Sequence, residues 1–265
     1  MFPYPEQRYW IWRRGVAPAL CLCSGKHRRH TQFGRGESWK ICPLDSGLIF
    51  WDLRAYAASA LKVVTVGLNP SNVEFEGQRF GVDVQRNLEP DSLEQALCGY
   101  FQLRPYSRWF DRAFETLLQP LGASFYGARY PSRPPPWWRT QPNTALHTDI
   151  GTPLATDPTW SNLPAEAKAR LQATGRPLWM DLIKALEPDL ILISVAPQHL
   201  ELLGNVGWRS FKPFPSAEPR HEMRIGRLGT YAVVWGRAQV TPFFHLTNKQ
   251  RAWTASAILR EAGLS

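Results

Sequence analysis

Long apolar runs are missing from this chain. No stretch approaches the roughly 18 consecutive apolar residues that would cross a bilayer as a helix, so no membrane partner is expected. The first residues, Met1 to Gly15, mix aromatics with charges and lack the apolar core of a secretory signal. A cytoplasmic location with reduced thiols is therefore expected. Cysteine is scarce, with Cys21, Cys23, Cys42 and Cys98 the full set of 4. Cys21 and Cys23 have His27, His30 and Cys42 nearby, which is zinc-ligand chemistry. One residue between the first two matches no common zinc spacing, so isolated thiols and no metal are the favoured reading. No Gly-x-x-x-x-Gly-Lys loop appears, which argues against a phosphate-binding nucleotide hydrolase on a doubly wound sheet. No internal repeat is visible. Acidic residues are also few: 22 Asp and Glu against 31 Lys and Arg, a net charge of +9. That balance suits an anionic partner, of which nucleic acid is the usual one.

What is present points to a mixed fold. The chain has 265 residues, 44% of them hydrophobic, enough for one large domain or two small ones. Residues 1–50 read as an N-terminal elaboration packed on a main domain of residues 51–265. The basic cluster Lys26-His27-Arg28-Arg29-His30 within it is either a solvated loop or a contact to phosphate. A short helix is expected over Trp51 to Leu61 and a buried strand over Lys62 to Val66. The polar stretch Asn72 to Gly81 reads as a loop. Arg108 to Leu118 has Trp109, Phe110, Phe114 and Leu117 on one side of a helix. Residues 133–139 are extended, because three prolines forbid regular structure. A second strand is expected over Thr144 to Ile150, followed by a loop from Gly151 to Pro158. A helix follows from Trp179 to Leu186, with Pro188 ending it. Strands are expected over Asp189 to Val195, Tyr231 to Trp235 and Gln239 to His245, and a final helix over Trp253 to Ala262. Strands alternating with helices predict an α/β fold, a three-layer α/β/α sandwich around a central, mainly parallel sheet of about four strands.

Chemistry concentrates at two strand ends. The first is Lys62-Val63-Val64-Thr65-Val66-Gly67-Leu68-Asn69-Pro70-Ser71. It holds a polar Asn at the carboxyl end of a buried strand, where ligands of open α/β sheets bind. The second is His245-Leu246-Thr247-Asn248-Lys249-Gln250-Arg251. Over residues 60–260 the chain resembles the uracil-DNA glycosylase superfamily. Its members share Gly, a variable residue, Asp or Asn, then Pro after the first central strand, here Gly67-Leu68-Asn69-Pro70. They share a second motif after the last strand, usually opening His-Pro-Ser. Here it is His245-Leu246-Thr247, with Leu replacing Pro and Thr replacing Ser.

The resemblance implies a monofunctional DNA glycosylase with no metal and no cofactor, acting as a monomer on double- or single-stranded DNA. Breaking the bond from base to sugar builds negative charge on the departing base. A neutral His245 would donate a hydrogen bond to it. Asn69 has no useful basicity, so it would position a water. A flipped base needs a phosphate grip and a wedge. Lys249 and Arg251 suit phosphates, Leu246 suits a wedge, and Thr247 and Asn248 share that DNA-facing segment. The bland alternative for this segment is a surface helix start. Phe80, or else Phe75, would stack on the base beside Leu68. Ser71 stands where some members carry a Tyr that blocks groups at the pyrimidine C5, and so leaves room. For base reading, Asp149 accepts hydrogen bonds but donates none, which suits the exocyclic amine of cytosine. In the alternative, Asp149 caps a turn and Asn143 reads the base. The expected substrate is a uracil-type base or a 5-modified cytosine. One bacterial branch of the superfamily removes glucosylated hydroxymethylcytosine from phage DNA. The roles implied are thus base excision or antiviral defence. A non-catalytic nucleic-acid-binding module on the same fold is the alternative from another class.

Overall fold

The computed structural model describes residues 31–33, 37–46, 53–70, 101, 106–127, 138–152, 154–157, 159–239, 241–243 and 246–264. They group into two interleaved units. One contains the described residues before 47, Asn69 and Pro70, and those from Asp149 to Leu186. The other contains residues 53–68, those described between 101 and 148, and those from Glu187 onward.

The second unit is built on a six-stranded sheet. In chain order its strands are β3 (Val63–Gly67), β6 (Leu146–Asp149), β8 (Leu190–Ile193), β9 (Arg209–Phe211), β10 (Met223–Leu228) and β11 (Tyr231–Gly236). Their order across the sheet is β6-β3-β8-β11-β10-β9. β3 pairs with β8, and β8 with β11, in parallel. Every residue of β3 and of β8 is buried. Apolar, β-branched runs of this kind are stable only where both sheet faces are covered. Lys62 and Asp189 lock the amino ends together. The Lys62 amide donates to Asp189 Oδ2 at 2.8 Å, and the Asp189 amide donates to the Lys62 carbonyl at 3.0 Å.

Six strands replace the expected four or so, because β10 and β9 extend the sheet antiparallel to β11. β10 alternates buried and wetter residues, the pattern of a strand with one solvated face. Gly229, at φ 62°, opens the tight turn between β10 and β11. The outer strand β9 is short and carries Arg209, paired to Glu261 at 2.7 Å; such an edge resists pairing with another chain.

Helical segments flank these strands in sequence. α1 spans Leu53–Ala58, inside its expected range. A π-turn at Phe110–Phe114 runs into α2 (Glu115–Leu118). The wider turn lets Phe110, Ala113, Phe114, Leu117 and Leu118 all be buried, whereas Trp109 is only half-buried. These rings join Phe101, Phe125, His147 and Phe243 in one aromatic cluster. Strands β4 (Ala123–Ser124) and β5 (Asn143–Thr144) pair in parallel beside it. The last helix, α4 (Asn248–Ala262), begins five residues before the expected Trp253 and ends at Gly263, at φ 71°.

In the first unit, β1 (Thr31–Phe33), β2 (Glu37–Ser46) and β7 (Leu154–Asp157) form an antiparallel sheet in the order β1-β2-β7. β7 falls within the segment expected to be a loop. It is a strand because β2 supplies a partner that is distant in sequence. The helix expected at Trp179 to Leu186 is α3, and it starts at Ala165. Gly175 and Pro177 look like breakers in sequence, yet both lie inside it. Gly175 is required by packing: an added Cβ would lie 2.4 Å from the Gly151 carbonyl and 2.6 Å from Thr152 Cα.

Candidate active site

Asn69 follows the buried strand β3 by two residues and is half-buried. Its Nδ2 donates to the Pro70 carbonyl at 2.7 Å and to Thr156 Oγ1 at 3.2 Å. Thr156 lies on β7, paired in register with Ile41 of β2, and is buried. Leu68 is half-buried between the strand end and Asn69.

The Thr144 amide donates to Ser59 Oγ, the Leu61 amide to Asn143 Oδ1, and Thr65 Oγ1 to the Leu146 carbonyl. β6 is the neighbour of β3 in the sheet, and Asp149 is its last residue. Asp149 is 5% exposed. The competing base reader, Asn143, is at the other end of the strand pair. Its oxygen accepts from Leu61 at 3.1 Å and its nitrogen donates to the Gly122 carbonyl at 3.0 Å. Both ends of that amide are used in tying backbone together.

His147 sits between them on β6 and is a core residue. Burial pushes its pKa down to about 3, so the ring is neutral. Nδ1 lies 2.8 Å from Thr65 Oγ1. The same hydroxyl lies 3.1 Å from the Leu146 carbonyl, so Thr65 links both Leu146 and His147 of β6.

The second motif is preceded by a turn, where a strand over Gln239 to His245 was expected. Thr241, Pro242 and Phe243 form bend and turn. Phe243 has φ 49° and its ring lies on Gly236, where a Cβ would come within 2.1 Å of it. The Phe243 amide donates to Ser194 Oγ at 2.8 Å, and Ser194 Oγ donates to the Gly236 carbonyl at 2.9 Å. Ring packing and these bonds hold the chain out of a strand. Leu246 is half-buried, with its amide on the Phe243 carbonyl at 3.4 Å.

Arg251 has a different task from the expected phosphate contact. It is 4% exposed. Its guanidinium donates to the carbonyls of Ala113 (2.8 Å), Pro242 (3.3 Å), Phe243 (3.5 Å) and Leu246 (3.3 Å). Burial pushes its pKa down to about 10, still charged at neutral pH. It falls on the inner face of α4, and the fork of a guanidinium is what three chain segments share here. Thr247 caps the same helix: its hydroxyl accepts from the Gln250 amide, and the Gln250 side chain returns a bond to the Thr247 amide. Asn248 and Lys249 are exposed in the first turn, and Lys249 Nζ lies 5.1 Å from the centre of the Trp253 ring.

Sequence reasoning missed two features. Thr156 carried no signal, since its place beside Asn69 depends on β2 and β7 pairing. Glu115 is a wholly buried carboxyl that accepts from Gln119 Nε2 (2.6 Å), Ser124 Oγ (2.5 Å) and the Phe125 amide (3.1 Å). Burial pushes its pKa up to about 7. One turn earlier Asp111, also raised by burial, accepts from the Tyr126 hydroxyl at 2.6 Å. The i, i+4 spacing was visible; the inward direction was not. The two carboxyls staple the helix to residues 124–126.

Ser71, Phe75, Phe80 and His245 lie outside the described residues, as do the basic cluster at 26–30, the segment 133–137, Cys21, Cys23 and Cys98. Among the described residues no group of three His, Cys, Asp or Glu could hold a metal ion, and no helix is long and apolar enough to cross a membrane. Comparison with family models, with curated proteins and with solved structures yields no match.

Proposed function

We propose that the protein is a monofunctional DNA glycosylase that hydrolyses the N-glycosidic bond of a flipped-out, non-standard pyrimidine. In this reading helices cover both faces of the central sheet in three layers, and a strand-end cleft receives the base. The observation that carries the proposal is the sequence Gly67-Leu68-Asn69-Pro70 at the end of a fully buried strand, with Asp149 closing the neighbouring strand. Asn69 positions the attacking water. His245 donates to the base oxygen as charge develops there. Asp149 accepts from the exocyclic amine of a cytosine, and Ser71 leaves room for a C5 substituent. The net charge of +9 favours DNA, with Lys249 at a phosphate and Leu246 as wedge.

The reading is tested with duplexes bearing uracil, hydroxymethyluracil, hydroxymethylcytosine or its glucosylated form, treated with protein and then alkali. Strand breaks are expected at the modified cytosines. His245→Ala should slow cleavage on the order of a hundredfold and leave DNA affinity intact. A second reading is a non-catalytic DNA-binding module. It is favoured by Thr247, whose hydroxyl caps α4 rather than facing a substrate. Binding without a break at any base would establish it.

A further inference from the structure

We infer that Thr156 is a positioning residue that, together with the Pro70 carbonyl, holds the Asn69 carboxamide with its oxygen toward the reacting water; this rests on the glycosylase reading. A carbonyl oxygen can only accept, so the 2.7 Å contact to Pro70 requires the nitrogen of the amide on that side. The nitrogen has two protons. The second goes to Thr156 Oγ1 at 3.2 Å. Among the described residues nothing donates to Asn69 Oδ1, and this is the atom offered to the water. Thr156 is 2% exposed. A flipped amide would set its oxygen against the Pro70 carbonyl, two acceptors facing each other, and an amide rotated away would leave the buried Thr156 hydroxyl without this bond.

The orientation has chemical consequences. With oxygen presented, Asn69 accepts a hydrogen bond from the water and leaves the water lone pair aimed at C1′. With nitrogen presented, it would donate to that lone pair and withdraw it. The water oxygen then bonds to C1′ as the bond from C1′ to the base nitrogen breaks. The electron pair leaves with the base, and the water proton reaches the base through solvent. Thr156 is itself held by strand pairing, with Ile41 opposite Thr156 and Lys40 opposite Asp157. The N-terminal strands thereby serve the site.

The test is single-turnover cleavage of whichever duplex the wild type cuts, using Thr156→Val, Thr156→Ser, Asn69→Ala and the double variant Asn69→Ala/Thr156→Val. Thr156→Val should slow the step by roughly tenfold to a hundredfold, as loss of orientation does, without changing DNA affinity. Thr156→Ser should retain the wild-type rate. The double variant should be no slower than Asn69→Ala alone, because Thr156 acts through Asn69. Thr156→Ala serves the same comparison if Thr156→Val does not fold. Wild-type rates in Thr156→Val, or losses that multiply in the double variant, overturn the inference while leaving the glycosylase reading standing. A wild type that cuts no duplex removes that reading, and this inference with it.

Discussion

At the scale of single residues, Arg251 and Glu115 are buried charged or chargeable groups with opposite requirements. Arg251 donates to four carbonyls and, among the described residues, pairs with no acid, so its removal leaves the carbonyls of Ala113, Pro242, Phe243 and Leu246 without this donor. Arg251→Met should lower the unfolding free energy by about 3 kcal/mol or more, read as a shift in the urea midpoint at constant slope. Arg251→Lys should recover little, because an ammonium cannot reach three segments in a plane. Glu115 has donors but, among the described residues, no cation. Its folded pKa, about 7, lies above the ordinary 4.5, so the folded state keeps a proton that the unfolded chain releases. Its contribution is therefore greatest below about pH 4.5 and declines as pH rises toward 7, by a few kcal/mol at most. Glu115→Gln should flatten the dependence of the urea midpoint on pH across that window; an unchanged slope would show that another group titrates.

At the scale of elements, α3 sets two known effects against each other. In an exposed helix, Gly→Ala stabilises by about 1 kcal/mol through helix propensity. At Gly175 the new methyl would meet backbone at 2.4 and 2.6 Å, and backbone cannot step aside as a flexible side chain can. Overpacking of this kind costs about 1–3 kcal/mol, so Gly175→Ala should be net destabilising in urea denaturation. A stabilised variant would mean that α3 and residues 151–152 separate easily. The same comparison explains why a helix with Gly and Pro inside it forms at all: Trp179, Leu182, Ile183 and Leu186 are buried along its second half.

At the scale of the whole molecule, the proposed binding of DNA by a chain of net charge +9 is tested through salt dependence. Each phosphate contact contributes about 0.9 to the slope of log affinity against log salt on duplex DNA. Lys249 is exposed at the start of α4, so Lys249→Ala should lower that slope by about this amount. Arg251→Met, measured on folded protein, should leave the slope unchanged because the guanidinium already faces carbonyls. Equal losses from both would return Arg251 to the DNA.

The strands β3, β8 and β11 and the position of Asn69 just past a strand end were legible in the sequence, because unbroken β-branched and aliphatic runs have one stable use, a sheet covered on both faces. Helix α4 was legible apart from its first turn. What tertiary structure decided were choices between equivalent local options. An Arg four residues past a helix cap can face out or in, and carbonyls from residues 113, 242, 243 and 246 settled that it faces in. A short Leu-Ala-Thr-Asp segment is a loop until β2 offers it a partner. Asn143 looks in sequence like any polar residue at a strand, and only the carbonyl of Gly122 and the amide of Leu61 show that its side chain ties backbone together. Several of these choices depend on groups more than 80 residues apart, as between Leu61 and Asn143 or Asn69 and Thr156, and local periodicity carries no record of them.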